Sequence, residues 1–234
     1  MKKITNTGSF ILILLASLVL HLSSCESDDY INDGGTADAH VNMSTYDFLA
    51  SNPKFDSLVA IIDRAGMKDL VNSDITFFAS TNYSVVNYVA AKKQKKIIET
   101  GNENIGFGIS NISIAELDSL KIYMFGGAIN RDQMVTAGRY YTSKFGNIPN
   151  NRFMIKLRRT NDYSSYLDFV DYVNFTKVIG TLDSDEPQGT VIPSGLADQS
   201  YDCQTSGIIT TTGIIHVLAD NHRLMFNNER IGSN

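Results

Sequence analysis

Two histidines six positions apart, His216 and His222, are the first residues to weigh for acid–base or metal chemistry. No spacing among the four histidines and two cysteines resembles a zinc site or a metalloprotease helix. There is no Gly-x-Ser-x-Gly turn for a nucleophilic serine and no glycine-rich phosphate loop carrying a lysine. Asp183-Ser184-Asp185-Glu186 could offer oxygens to calcium, but it lacks the regular alternation and closing Glu of a calcium loop, and it reads as a solvated loop. Any two of the 25 acidic residues could approach in space as a glycosidase pair, yet nothing in the sequence draws two of them together. Tyrosines at 140, 141, 163, 166, 172 and 201 concentrate in the second half. On strands they would pack a sheet; exposed, Tyr163, Tyr166, Tyr172 and Tyr201 could stack on sugar rings and bond ring hydroxyls. The reading is therefore of a chain with no catalytic residues, no metal and no cofactor.

Cysteine chemistry points elsewhere. Lys2 and Lys3 precede an apolar run, Phe10 to Leu20, too short to span a bilayer but of the length of a secretory signal core. Leu22-Ser23-Ser24-Cys25 follows, and it resembles the lipobox of bacterial lipoproteins. That resemblance implies cleavage after Ser24 and acylation of Cys25. The acidic Glu26-Ser27-Asp28-Asp29 resembles the signal that sends lipoproteins of the Bacteroidota to the outer face of the outer membrane; it could equally be a solvated linker. The expected organisation is a signal over 1–24, an acidic flexible tether over 25–40, a domain over 41–226 and a tail over 227–234. The membrane would be engaged through N-terminal lipid, where each buried methylene contributes ~0.8 kcal/mol. With Cys25 used by lipid, Cys203 has no partner, so the domain holds no internal disulfide.

Composition narrows the class. Two of the 20 basic residues and none of the 25 acidic ones precede Cys25, which leaves a side-chain charge of −7 (18 − 25) beyond it. The single basic cluster, Lys92-Lys93-Gln94-Lys95-Lys96, is too short for a nucleic-acid face. Nothing sets an oligomeric state.

The elements that must position these groups change character along the chain. Ser44 reads as an N-cap for a short helix, and Asn52-Pro53 starts a second whose Phe55, Leu58, Val59 and Ile62 form one apolar face ending at Gly66. Ile75 to Ala79 is a buried strand, and Tyr83 to Ala91 can be helical. Ser113 to Glu116 reads as a capping box opening a helix with Ile114, Leu117, Leu120 and Met124 on its core face. Strands are expected at 133–136, 139–143, 152–158, 166–174 and 175–180, then at 208–210 and 214–218. Helices first and strands after make an α+β domain.

Two segments carry a family resemblance. Ile75-Thr76-Phe77-Phe78-Ala79-Ser80-Thr81-Asn82 is similar to the first motif of the fasciclin domain, and Gly213-Ile214-Ile215-His216-Val217-Leu218 is similar to its second. The resemblance covers roughly 41–224 and implies a β-sandwich with short helices packed along it, of the kind found in extracellular adhesion and matrix proteins. Phe77, Thr81, Asn82, Gly213 and His216 would then be structural, His216 held by hydrogen bonds rather than by a ligand. Ser80 stands for the motif's Pro, and Thr212 for its Asn. Tyr123 lacks the histidine that follows it in the family, which puts animal-type receptor adhesion at that place in doubt. The chain is longer than a minimal fasciclin domain, with extra length near 92–111 and 158–206, where individual binding function would reside. The expected function is a non-catalytic adhesion or binding module, lipid-anchored to the outer membrane and facing a protein or glycan. The alternatives are an accessory glycan-capture lipoprotein of a nutrient-uptake system and a surface hydrolase working through the inserted loops.

Overall fold

A computed structural model describes residues 38–146, 151–229 and 231. The signal, Cys25 and most of the tether lie outside them. The chain divides after Ala39, and the unit His40–Asn234 is the subject from here on.

It is a mixed α/β unit, with helices first and strands after. Helices α1 (Thr45–Ser51), α2 (Asp56–Arg64) and α3 (Lys68–Val71) precede strand β1 (Ile75–Ala79). Ser44 caps α1 by accepting from the Asp47 amide, and Asn52 accepts from Lys54 ahead of α2, so both N-terminal signals act as capping chemistry requires. On α2, Phe55, Leu58 and Ile62 are buried with Ile61, while Val59 is only partly covered. Helix α4 (Asn82–Thr100) runs nine residues further than its apolar pattern indicates, carrying the lysine cluster on its outer turns before Gly101 ends it in the left-handed conformation.

The next helix departs from expectation. Ser113 accepts from the Glu116 amide, but α5 (Ile114–Leu117) is one turn long and passes into a 3₁₀ segment, Asp118–Tyr123. Ile114 is exposed, and Met124 begins strand β2 (Met124–Gly126) rather than ending a helix. The Glu116 carboxylate bonds Tyr88 and Lys92 on α4, which anchors the short turn sideways.

The remaining strands are β3 (Arg139–Tyr141), β4 (Asn151–Thr160), β5 (Val170–Ile179), β6 (Gln199–Ile209) and β7 (Gly213–Leu218). The expected strand at 133–136 is a 3₁₀ turn, Arg131–Gln133, followed by loop. The two strands expected over 166–180 are one, and Tyr166 lies before it, in the loop. Most of β6 was not anticipated, because Tyr201 to Ser206 alternates too weakly to register as a strand. The seven strands join in one sheet in the order β2-β1-β7-β6-β5-β4-β3. Phe125 bridges Ser143 just past β3, and the Lys144 amide donates to the Met124 carbonyl at 2.7 Å, so the two edges of the sheet meet. Unpaired edges are thereby tied off. Inside lies an aromatic cluster in which Phe175 stacks on Phe78 at 4.5 Å and on Phe153 at 5.5 Å, with Phe125 edge-on to all three.

Candidate functional site

The two motif strands are neighbours. β1 and β7 pair in parallel, Ile75 opposite Gly213 and Phe78 opposite His216. A Cβ on Gly213 would collide with the Ile75 carbonyl oxygen, so the close approach of the strands demands glycine there. Phe77 is fully buried in β1. His216 is fully buried and stacks on Phe78 at 5.0 Å. Its Nδ1 accepts from the Gly207 amide at 3.1 Å, and its Nε2 lies 3.0 Å from the Ile129 carbonyl. An acceptor at Nδ1 and a carbonyl at Nε2 assign the neutral Nε2–H tautomer. Burial lowers its pKa to about 4. The Gly207 amide reaches it because β6 is irregular between Thr205 and Ile208, with Gly207 at φ 79°.

Thr81 and Asn82 tie the corner after β1 to other elements. Thr81 donates to Asp220 Oδ1 at 2.7 Å instead of capping α4. Asn82 donates to the Pro53 carbonyl and accepts from the Ser57 amide, fastening the start of α4 to the start of α2. Thr212, in place of the motif's Asn, accepts from the Thr45 amide at the head of α1.

His222, which the sequence offers only as a histidine without metal spacing, has a structural role. It is fully buried, with Nδ1 2.9 Å from Ser84 Oγ and Nε2 3.0 Å from the Tyr123 hydroxyl. A tyrosine–histidine pair is thus assembled through space across 99 positions, although Tyr123 lacks a histidine beside it. Both members are fully buried, so the pair is a core element and offers nothing to a receptor. Burial alone lowers the His222 pKa to about 3. Cys203 is also buried, which drives its thiol pKa well up and keeps it protonated.

The four tyrosines marked for ligand contact separate. Tyr201 packs edge-on against His222 at 4.8 Å and belongs to the core wall. Tyr172 lies on β5, its pKa raised first by the hydrogen bond it donates to Tyr163. Tyr163 and Tyr166 stand in the 161–169 connection between β4 and β5, where every residue is exposed. Tyr166 is 88% exposed and Leu167 58%, with Phe169 beside them. Such a run of large apolar side chains in water stands out against a polar surface.

The base of this tip is rigid. β4 and β5 pair over ten residues without a shift, up to Thr160 opposite Val170. Arg159 forms a two-pronged pair with Asp171, at 2.8 and 2.7 Å, while its guanidinium covers the Phe169 ring at 3.5 Å. Arg158 grips Asp202 with bonds as short as 2.6 Å and lies over the Tyr172 ring. Burial works against ionisation of Asp202, but bonds from Arg158 and Asn174 hold its pKa below the usual carboxylate range. The Asp171 pKa is lowered by its bonds from Arg159.

Asp183 of the acidic loop is spent internally. The Asp183 carboxylate accepts from the Asp198 amide, and Asp198 accepts from the Asp183 and Ile179 amides. Among the described residues no three His, Cys, Asp or Glu side chains come together as metal ligands, and no helix is long and apolar enough to cross a membrane.

No family model and no curated protein matches the chain. Among solved structures, it is similar to a FAS1 domain pair from the insect cell adhesion molecule Fasciclin I, at 12% identity and a TM-score of 0.35. The match covers 79% of this chain and 46% of that one, so the chain spans less than half the length of its structural neighbour.

Proposed function

We propose that this is a non-catalytic binding module of the fasciclin type, its sheet folded into the sandwich of that family, tethered by lipid on Cys25 to the outer membrane and meeting an extracellular or envelope protein through the β4–β5 tip. The observation that carries this reading is the tip itself. Tyr163, Tyr166, Leu167 and Phe169 are presented together on a ten-residue ladder clamped by two arginine–carboxylate pairs. Aromatic residues and arginine are the side chains that dominate protein interfaces, and pre-ordering them lowers the entropy lost on contact. The parallel pairing of the two motif strands supports the fasciclin assignment. Leu167 and Phe169 favour a protein over a glycan at this tip, since Leu167 offers an aliphatic branch rather than a flat ring and the Phe169 ring is already covered by Arg159.

The test is binding of the full chain in detergent to arrayed extracellular matrix proteins, envelope proteins and glycans, beside a variant with Tyr163, Tyr166, Leu167 and Phe169 all changed to Ser. A protein signal lost in the variant supports the proposal. A glycan signal lost in the variant replaces it with glycan capture. A protein signal that survives the variant, or turnover of an arrayed polysaccharide, contradicts it.

A further inference from the structure

A recess lies at the corner where the first motif turns into α4. Its volume is about 290 Å³, at the small end of ligand pockets. Tyr83, the second residue of α4, presents its ring there while 67% exposed. Asp220, just beyond β7, is already oriented: Thr81 donates to its Oδ1 at 2.7 Å and Gln204 Nε2 to the same atom at 3.2 Å. Both bonds fall on Oδ1, which leaves the accepting capacity of Oδ2 for a guest. Lys54 adds an ammonium donor. Asn82, by contrast, spends both ends of its amide on Pro53 and Ser57, which makes it a rigid wall rather than a contact. A further hollow of about 160 Å³ shares Lys54 and Gln204 with the first.

We propose that this recess binds a neutral saccharide of one or two rings, with a pyranose face on Tyr83 and hydroxyls that donate to Asp220 and to Gln204 Oε1, the Gln204 amide hydrogens being held by Leu218 and Asp220, and accept from Lys54. The chemistry selects that class. One cation and one anion balance, so neither an anionic nor a cationic ligand is favoured. An exposed aromatic ring beside a fixed carboxylate, an amide and an ammonium matches a molecule with one apolar face and a rim of hydroxyls. The site is separate in sequence and strand position from the β4–β5 tip and does not depend on it.

Saturation-transfer NMR on the full chain in detergent tests this, with the methyl glycosides of glucose, galactose, mannose and N-acetylglucosamine, then lactose, maltose and cellobiose. Transfer to ring protons of at least one sugar is expected, with binding weakened at least tenfold in Tyr83→Ala and in Asp220→Asn. The tip variant should bind that sugar as the unaltered chain does, which keeps the two proposals apart. Because the Tyr83 ring is exposed, Tyr83→Ala reads the site even if Asp220→Asn loosens the corner. Transfer to none of the sugars, transfer unchanged in both variants, or binding of inorganic phosphate or methylamine in their place overturns the assignment.

Discussion

Gly213 shows how far a single residue can be read. Its type is legible in the motif, but the cause is only visible in the sheet, where a side chain would meet the Ile75 carbonyl. Gly213→Ala should therefore cost about 3 kcal/mol in urea unfolding, toward the top of the range for single substitutions; a loss under 0.5 kcal/mol would mean the strands can part cheaply. His216 was legible as a satisfied histidine because it alternates with apolar neighbours. Its partner Gly207 was not, since a bulge leaves no periodic trace. His222 shows in the sequence only as a histidine without metal spacing; it stands in a loop whose burial comes from Phe226 four positions on and from Tyr123 and Tyr201, distant in sequence. Both histidines are held neutral in the folded state, with pKa values of about 4 and about 3 against 6.5 when unfolded. The unfolded chain thus binds more protons as pH falls through 6.5, and stability drains away from there down to the folded values. The full loss is on the order of 3 kcal/mol or more for each residue, at ~1.36 kcal/mol per pKa unit. Unfolding free energy should fall steadily from pH 6.5 to 4.5, and the slope should drop by about half in His222→Gln. An unchanged slope would show that His222 charges without opening the core. Cys203, protonated and buried, should resist thiol reagents until the domain is unfolded; labelling of the native protein within minutes would refute its placement.

Among the elements, those with local signals were legible and those made by pairing were not. The caps at Ser44, Asn52 and Ser113 rest on chemistry within three residues, and each operates. The helix expected to run through Met124 stops because Met124 pairs with Phe77 across the sheet, a contact no local pattern announces. Likewise β5 was divided in two, and β6 was largely missed because its pairing with β5 and β7 supplies what its composition lacks. The extra length at 158–206, expected as inserted loop, is strand as much as loop. The β4–β5 tip contributes little to folding, since its apolar side chains already face water. The four-serine tip variant should unfold within about 0.5 kcal/mol of the parent. Arg158→Ala should act differently, because it leaves the half-buried Asp202 without its charged partner; a loss of about 1–2 kcal/mol is expected, and no loss would show that the clamp is ornamental.

At the scale of the whole molecule, the account joins a tether to a presenting surface. The lipid anchor rests on residues outside the described structure and is read from Leu22 to Cys25 alone. Cys25→Ala should move the protein from the detergent phase to the aqueous phase on Triton X-114 partition; retention in detergent would remove the anchor from the account. The central claim is that the β4–β5 tip is where a partner protein is met. Its most direct test is site-specific photocrosslinking on intact cells, with benzoylphenylalanine placed at Tyr166 and, as a control, at Ile98, which is 75% exposed on α4. The account predicts one discrete protein adduct from position 166, absent from position 98 and lost when Leu167 and Phe169 are changed to Ser. No adduct at 166, or the same adducts from both positions, would contradict it.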